Sequence, residues 1–346
     1  MAGDSRTVLF LQSCSQLSQI LSIDDVKFLS MGGLVELMNS TSVTEFELAG
    51  FLDLRNFHTP VFVTLLVIYL LILSGNSIIF ALIYAHPRLH TPMYYFVAVL
   101  AVLEVFYTTV TMPKMLVDLQ RSTQSISLHG CLLQIYFFHS LGITEACLLT
   151  AMAYDRYLAI CTPLTYSSAM TTKLCFQLVL ACFTCGFACP LPEIILTSRL
   201  PFCGPKRINH MFCDFAPLIS LACTDISTSI VVDFSLHSVV ILCPIFLILL
   251  SYAKILQVVR RIQSSKGRQK AFSTCASHLI VVLAFFGTIS FMYMRLTWVE
   301  SLHYDRIIAV IYAVVTPLFN PIIYSLRNKE IRHVIKQITS SSRLSC

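Results

Sequence analysis

Long apolar segments alternate with short polar segments through most of this chain. Seven of the apolar segments reach the length, about 20 residues, that a helix needs to cross a bilayer. The polar segments between them carry most of the charged residues, so the ends of each span are clear. The pattern predicts an all-α membrane protein, a seven-transmembrane helix bundle, with spans at residues 59–84, 92–117, 130–155, 173–196, 228–252, 271–294 and 306–326.

The overall composition agrees with a membrane protein. Of the 346 residues, 56% are hydrophobic and only 12% are charged. The mean hydropathy of +0.76 lies far above the range of soluble domains. Because the seven spans occupy most of the chain, little remains for a soluble catalytic domain.

Basic residues are distributed unevenly, which fixes the orientation in the membrane. Two basic segments, one between spans five and six and one after span seven, are predicted to be cytoplasmic, so the N-terminus lies outside. There the sequon at Asn39 is open to glycosylation. The net charge of +6 reflects this topology and contact with anionic lipid or an acidic partner, not nucleic-acid binding. The basic residues are Lys254, Arg260, Arg261, Lys266, Arg268 and Lys270 in the first segment and Arg327, Lys329, Arg332, Lys336 and Arg343 in the second.

The two ends of the chain differ from the spans. Residues 1–37 contain no convincing signal peptide, so we expect a disordered extension and an alternative start at Met38. From Ser325 to Gln337, basic and apolar residues alternate at helical spacing, which predicts a short amphipathic helix on the inner membrane surface. The chain thus divides into an extracellular N-terminus, a seven-helix domain and a cytoplasmic tail, at residues 1–58, 59–326 and 327–346.

A charged pair follows span three without a break, in the sequence MAYDRYLAIC (152–161). Charges at such a position are costly unless they are paired, hydrated or used. Adjacent residues do not face each other on a helix, so Asp155 holds Arg156 only through a bent local pair, which can be opened. The pair therefore suits a switch. The alternative is an arginine that extends to the interface beside a chance acidic neighbour.

Four polar residues are predicted near the middle of the membrane: Asn76 in span one, Glu104 in span two, Glu145 in span three and Asn320 in span seven. Because lipid offers them no partners, we expect them to converge on one hydrated cluster. Two close carboxylates must share a proton or hold a small cation such as sodium. The alternative is that each acid is capped separately within its own region.

The outer halves of spans three, five and six supply aromatic and aliphatic walls with a few polar groups, which is the composition of a small-molecule pocket. On span three, helical spacing puts Phe138, Gly142 and Glu145 on one face, and Gly142 leaves room. Span five adds Asp233 and His237. The alternative is ordinary packing of apolar helix faces. The candidate ligand-binding residues are Phe138, His139, Gly142, Ile143, His237, Ile289, Ser290 and Tyr293.

The cysteines divide by their side of the membrane. Four are predicted to be extracellular, where conditions are oxidising, and they suggest two disulfide bridges: Cys131, Cys203, Cys213 and Cys223. The cysteines in or beside the spans are more typical of small apolar packing residues. For the stripe at Cys182, Cys185 and Cys189 we favour packing over metal binding.

Several motifs now stand in order along the chain: LHTPMYYF (89–96), MAYDRYLAIC (152–161) followed by TPLTY (162–166), SY (251–252), KAFSTCASH (270–278) and PLFNPIIYSLRN (317–328). Together, and correctly spaced between seven spans, they resemble the vertebrate olfactory receptors of the rhodopsin-like G-protein-coupled receptor superfamily. The resemblance runs from about residue 38 to residue 336.

The resemblance implies a receptor that binds small volatile molecules and activates the stimulatory olfactory G protein, which raises cAMP. It implies residence in the plasma membrane of olfactory sensory neurons and no enzymatic activity. It also implies the disulfides Cys131–Cys213 and Cys203–Cys223, and a pocket tyrosine at Tyr293. The residues that it assigns to the switch and to G-protein coupling are Asp155, Arg156, Tyr157, Tyr252, Lys270, Asn320, Pro321 and Tyr324.

The sequence departs from the family pattern at several points. Helix two has Glu104 where the family usually has Asp, and Ala101 where it has Ser, which changes the size of any cation site. Phe286 replaces a tyrosine and removes a hydroxyl from the expected pocket floor. Since no acid stands at the inner end of helix six, we expect Asp155 to contact Lys270 or Arg268 in the inactive state.

Two other functional classes fit less well. A transporter or channel would suit the buried acids, but the sequence shows no repeated half and no matching pair of broken spans. An intramembrane enzyme would need a nucleophile and a base, or metal ligands, at helical spacing. His139 and His237 lack such partners in sequence.

Overall fold

The computed structural model describes residues 43, 45–50, 57–121, 124–203, 206–294, 310, 313–314, 316–323, 331–335 and 337, without the side chains of residues 266 and 270–274. Six helices in this part of the chain are long and apolar enough to cross a membrane. They are α1 (His58–Ala85), α2 (Pro92–Gln120), α3 (Leu128–Cys161), α4 (Thr172–Ala188, continued by Leu191–Ser198), α5 (Ser227–Arg261) and α6 (Ser265–Tyr293).

The described part of the predicted seventh span, residues 310, 313–314 and 316–323, is also helical. The prediction of a seven-transmembrane helix bundle is therefore confirmed. Of the tail, residues 331–335 and 337 are described and helical. Asn39, Met38 and Tyr324 lie outside the described residues.

Three helices extend beyond the predicted spans on the cytoplasmic side. Helix α3 continues to Cys161, α5 continues to Arg261 and α6 begins at Ser265. Hydropathy marks only the part of a helix that crosses lipid, whereas backbone hydrogen bonding continues into the polar region. The charged pair of span three therefore lies inside a helix and not at its end.

Helix α3 is the central element of the bundle. Within its most apolar stretch 78% of the residues are buried, compared with 22% for α1. Its start is fixed by Ser127, whose hydroxyl accepts a hydrogen bond from the backbone N–H of Gly130 at 3.1 Å. Proline at position 163 follows its end, where helices commonly stop. Every functional region described below includes a residue of α3.

Helices α3 and α4 approach each other closely at Gly186. A Cβ atom at this position would lie 1.9 Å from Thr144 Oγ1 and 2.6 Å from the carbonyl oxygen of Ser140. The hydroxyl of Thr144 donates to that same carbonyl at 2.7 Å, so it is not free to move aside. Only glycine permits this packing.

The extracellular side carries a small cap of three strands. Strand β1 (Glu45–Leu48) lies between β2 (Ser125–Ser127), to which it is antiparallel, and β3 (Arg207–Ile208), to which it is parallel. The sequence analysis predicted no strands, because segments this short form only through partners that are distant in sequence.

The cap has its own hydrophobic core, separate from that of the bundle. It is formed by the inward side chains of β1, the outer end of α3 and the loop between α4 and α5, and its buried residues are Val43, Phe46, Leu48, Cys131, Leu132, Ile135, Phe202, Ile208, Cys213, Phe215, Leu218 and Ile219.

Two disulfides fix the long loop between α4 and α5. Cys131 pairs with Cys213, and Cys203 pairs with Cys223, which are the pairs that the resemblance implied. Beside the first bridge, the amide of Gln134 accepts from the backbone N–H of Cys213 at 2.9 Å and donates to the carbonyl of Val110 at 2.9 Å. The loop is thus bound to both α3 and α2.

We predict that Gly186→Ala destabilises the receptor, since α4 must move away from α3 to accept the methyl group. Overpacking of this kind costs about 1–3 kcal/mol. The matched control is Gly287→Ala on α6, where an added Cβ meets nothing within 4 Å. There alanine should be neutral or stabilising by up to ~1 kcal/mol through its helix propensity. The melting temperature of the Gly186 variant should fall and that of the Gly287 variant should stay the same or rise, and equal shifts would contradict this packing.

Candidate functional site

A cavity lies between the outer halves of α3, α5 and α6. About 340 Å³ of space free of protein atoms lies between its walls when the opening to solvent is included, and the enclosed cavity, about 30 Å³, is far smaller than a typical ligand pocket. The lining residues are Phe138, His139, Gly142, Ile143, His237, Val240, Ile241, Phe285, Ile289 and Tyr293.

The cavity brings together most of the candidate ligand-binding residues, with three differences. Ser290 is not in the lining, because it is one position past Ile289 and points about 100° away around the helix. Phe286, expected at the pocket floor, packs its ring edge against Phe285 with centroids 5.0 Å apart, and Phe285 lines the cavity instead. The sequence analysis missed Val240 and Ile241, which lie one turn beyond His237 on α5.

Three polar side chains form one end of the cavity. The rings of His237 and Tyr293 stack with centroids 4.1 Å apart and planes 7° apart. The hydroxyl of Tyr293 lies 3.4 Å from His139 Nε2, and the ring of His139 stands edge-on to that of His237. The remaining lining is apolar, so the cavity has one polar end and one apolar body.

Three buried carboxylates lie directly behind these imidazoles. Glu193 Oε2 is 3.1 Å from His139 Nδ1, and Asp214 Oδ1 is 3.7 Å from His139 Nε2. Asp233 Oδ1 is 2.9 Å from His237 Nδ1, and the backbone carbonyl oxygen of Asp233 lies 3.0 Å from the same nitrogen.

The sequence analysis named Asp233 but not Glu193 or Asp214. Glu193 lies within the predicted fourth span, and an ionisable residue at that depth is itself a signal of function. Asp214 lies in the extracellular loop one residue after Cys213, and only the folded loop brings it to the pocket.

Asp214 remains ionised although it is buried. Burial raises the pKa of its carboxyl group, but the hydrogen bond with His139, the charges of His210 and His139 and the backbone N–H of Phe215 together lower that pKa below its usual value. The N–H of Phe215 lies 2.9 Å from Asp214 Oδ1, so the carboxylate also caps the short helix Phe215–Ile219.

The four mid-membrane polar residues form two groups of contacts, and in the described part of the chain only Glu104, Glu145 and Asn320 meet directly, without Asn76. The amide of Asn320 donates to Glu104 and lies 3.4 Å from Glu145 Oε1, so one amide joins both carboxyl groups. Asn76 donates to the carbonyls of Ile72 at 3.0 Å and Pro317 at 3.4 Å. The seventh-helix segment is thus bound to α1, α2 and α3, and the two acids share one cluster.

At the cytoplasmic end, Asp155 is the centre of a second polar group. Its Oδ2 lies 2.6 Å from Nη2 of Arg156, which is the predicted local pair. Its Oδ1 accepts a hydrogen bond at 2.7 Å from the hydroxyl of Tyr166, in the short helix Tyr166–Ala169. Burial raises the pKa of Tyr166, and the nearby carboxylate of Asp155 raises it further. The hydroxyl of Tyr166 therefore stays protonated and can donate this hydrogen bond.

Tyr166 is a partner of Asp155 that the sequence analysis did not expect; the expected partner was Lys270 or Arg268. The described side chain of Arg268 is exposed and forms no ion pair with Asp155, and the side chain of Lys270 lies outside the described part. A tyrosine five residues after the helix end gave no signal in sequence, because its contacts depend on how the loop folds.

Tyr252 takes part in a third contact that connects three helices. Its hydroxyl lies 2.8 Å from Nδ1 of His278 on α6, and the other nitrogen of that ring lies 3.0 Å from the carbonyl oxygen of Leu149 on α3. Leu149 is two helical turns before Arg156. One imidazole therefore holds α3, α5 and α6 together just above the charged pair.

Comparison with known proteins identifies the family. The family model for olfactory receptors matches residues 65–342. The chain is 53% identical over 299 residues to human olfactory receptor 6N1, covering 86% of this chain and 96% of that protein. It is 47% identical over 333 residues to human olfactory receptor 6K6, covering 96% and 93%, and 42% identical over 305 residues to mouse olfactory receptor 6B9, covering 88% and 96%. The chain therefore belongs to the olfactory receptor family, whose members are multi-pass receptors of the plasma membrane and not enzymes.

Proposed function

We propose that this receptor binds a small, mostly apolar volatile molecule in the cavity between α3, α5 and α6, and that binding activates the stimulatory olfactory G protein and raises cAMP. Family membership gives the general function, odorant reception coupled to a G protein. The finer statement is supported chiefly by the cavity, which is apolar along its body, polar at one end and small.

The same helices that line the cavity carry the cytoplasmic contacts. Helix α6 contributes Ile289 and Tyr293 to the cavity and, three to four turns lower, His278 to the contact with Tyr252 and Leu149. A ligand that changes the position of the outer half of α6 therefore changes the fit of His278. Because packed helices have discrete arrangements, such a change opens or closes the cytoplasmic contact.

Arg156 is the residue through which this opening would reach the G protein. Its guanidinium pairs with the carboxylate of Asp155, the preceding residue of α3, and only 9% of the surface of Arg156 is exposed. Once the surrounding helices separate, its guanidinium faces the cytoplasm. A helix of the G protein that presents its C-terminal carbonyls there would be attracted to a cation, because that end of a helix carries partial negative charge.

We predict that Arg156→Ala abolishes the cAMP response without preventing delivery to the cell surface. The matched control is Arg260→Ala, which removes an exposed cytoplasmic cation from the end of α5. Surface staining and agonist-driven cAMP should be measured in the same cells. A normal response of the Arg156 variant at normal surface level would contradict its role.

We predict that Gly142→Leu weakens the response to an identified agonist at least several-fold. The added side chain enters the cavity beside Phe138, and overpacking costs about 1–3 kcal/mol. Gly287→Leu, whose side chain enters open space on the outer surface of α6, is the control. If the concentration-response curve of the Gly142 variant is unchanged at equal surface level, the ligand binds elsewhere.

We also propose that sodium binds the cluster of Glu104, Glu145 and Asn320. Carboxylate and amide oxygens suit a hard cation. Oε2 of Glu104 is buried and has no hydrogen-bond partner among the described residues, so it has capacity to bind one. A bound cation would balance the charge of two carboxylates that otherwise repel.

Under this proposal, replacing sodium chloride with N-methylglucamine chloride shifts agonist potency in the unmodified receptor. Glu145→Gln should abolish the shift, because it removes one of the two charges that attract the cation. Potency should be measured at constant ionic strength in both salts. A sodium effect of unchanged size in the Glu145 variant would exclude this site.

A further inference from the structure

Three carboxylates lie behind the polar end of the cavity, and the described residues around them do not supply a hydrogen-bond donor to every carboxylate oxygen. We propose that this end selects ligands that carry an amine, bound as the ammonium ion, over alcohols and carboxylic acids with the same carbon skeleton. This proposal rests on the proposed function in one respect, since it takes the same cavity as the ligand site.

The first argument is a shortage of hydrogen-bond donors. Oε1 of Glu193 is buried and has no hydrogen-bond partner among the described residues, and Oδ1 of Asp233 has only the contact of 2.9 Å with Nδ1 of His237 there. The residues themselves are 1% and 3% exposed. A buried carboxylate oxygen without a donor is costly. An ammonium group has three donors, whereas a hydroxyl has one and a carboxylate has none.

The second argument concerns charge. Glu193, Asp214 and Asp233 face the imidazoles of His139 and His237, and Asp214 also lies near His210 in the extracellular loop. Carboxylates are charged at neutral pH, while an imidazole is charged only when protonated. Even with three protonated imidazoles the cluster only reaches neutrality. A positively charged ligand would supply one of these charges. Fewer of the buried imidazoles would then need to be protonated for the cluster to be neutral.

The third argument is position. Asp233 lies one helical turn before His237 on α5, and Glu193 contacts His139, so both carboxylates lie behind side chains that line the cavity. Charges at this separation still interact strongly where water is excluded. A carboxylic acid ligand would place a further negative charge in the same space. An alcohol would satisfy one acceptor and leave the charge unchanged.

The body of the cavity then determines the rest of the ligand. Its lining from Ile143 through Ile241 to Phe285 is aliphatic and aromatic, so it favours a short hydrocarbon chain or ring attached to the amine. An alkyl ammonium ion has a pKa close to that of a lysine side chain, so the ligand carries its charge at pH 7.4.

The test uses the full-length receptor and three probes with one six-carbon skeleton: hexylamine, hexan-1-ol and hexanoic acid. We expect hexylamine to act at a concentration about tenfold lower than hexan-1-ol, because its charge is attracted to the carboxylates behind the cavity lining, and hexanoic acid to be inactive. Two readouts are needed: cAMP in cells, and the melting temperature of the purified receptor with each probe.

Two variants test the assigned carboxylates. Asp233→Asn and Glu193→Gln should each reduce hexylamine potency about tenfold and leave that of hexan-1-ol nearly unchanged. The unchanged alcohol response shows that each variant is folded, and the two variants lie on different helices. The control is Asp225→Asn, which removes an extracellular acid that is bonded only locally to Ser227 among the described residues.

The two proposals fail in different ways. If hexan-1-ol or hexanoic acid stabilises or activates the receptor and hexylamine does neither, the amine preference is overturned and the proposed function stands. If none of the probes shifts the melting temperature, the amine preference is also overturned. If hexylamine stabilises the receptor without raising cAMP, the ligand class stands and the proposed coupling is wrong.

Discussion

Polar groups inside a bilayer have no water to bond with, and this constraint determines which helices of the receptor touch at which points. Helix α3 makes polar contacts with other parts of the receptor at three depths in the membrane. His139 near the outside is held by carboxylates of α4 and the extracellular loop, and Glu145 in the middle shares an amide with α2. The carbonyl of Leu149 lies against the imidazole of α6. Apolar packing would allow the helices to slide, but these contacts fix their register.

This arrangement places the ligand site and the switch on one rigid element. Between Gly142 in the cavity and Arg156 at the cytoplasm, α3 runs as an uninterrupted helix. It can therefore serve as a fixed reference against which α6 moves. The movable contacts are single hydrogen bonds, each worth about 0.5–1.5 kcal/mol, which suits a change that a small ligand must drive.

The sequence predicted the parts of this structure that depend on local pattern. Hydropathy located the spans, and helical spacing placed Phe138 and Gly142 on the face of α3 that lines the cavity, although Glu145, predicted on the same face, is not in the lining. It failed where the outcome depends on rotation or on distant segments. Ser290 and Ile289 are adjacent in sequence, and only the packing of α6 decides which of them lines the cavity. The contacts of Tyr166 and Asp214 depend on loop conformations, which hydropathy does not encode.

The extracellular cap has a consequence for biogenesis. Its strand β1 emerges from the ribosome first, but β3 and both cysteine pairs are complete only after residue 223 has been translocated. Gly50 then packs so tightly against the loop that an added Cβ would lie 2.5 Å from the backbone nitrogen of Met211. The cap can thus close before α5 is made. An antibody that recognises the joined strands would report a receptor whose outer half has matured, independently of whether the cytoplasmic half has assembled.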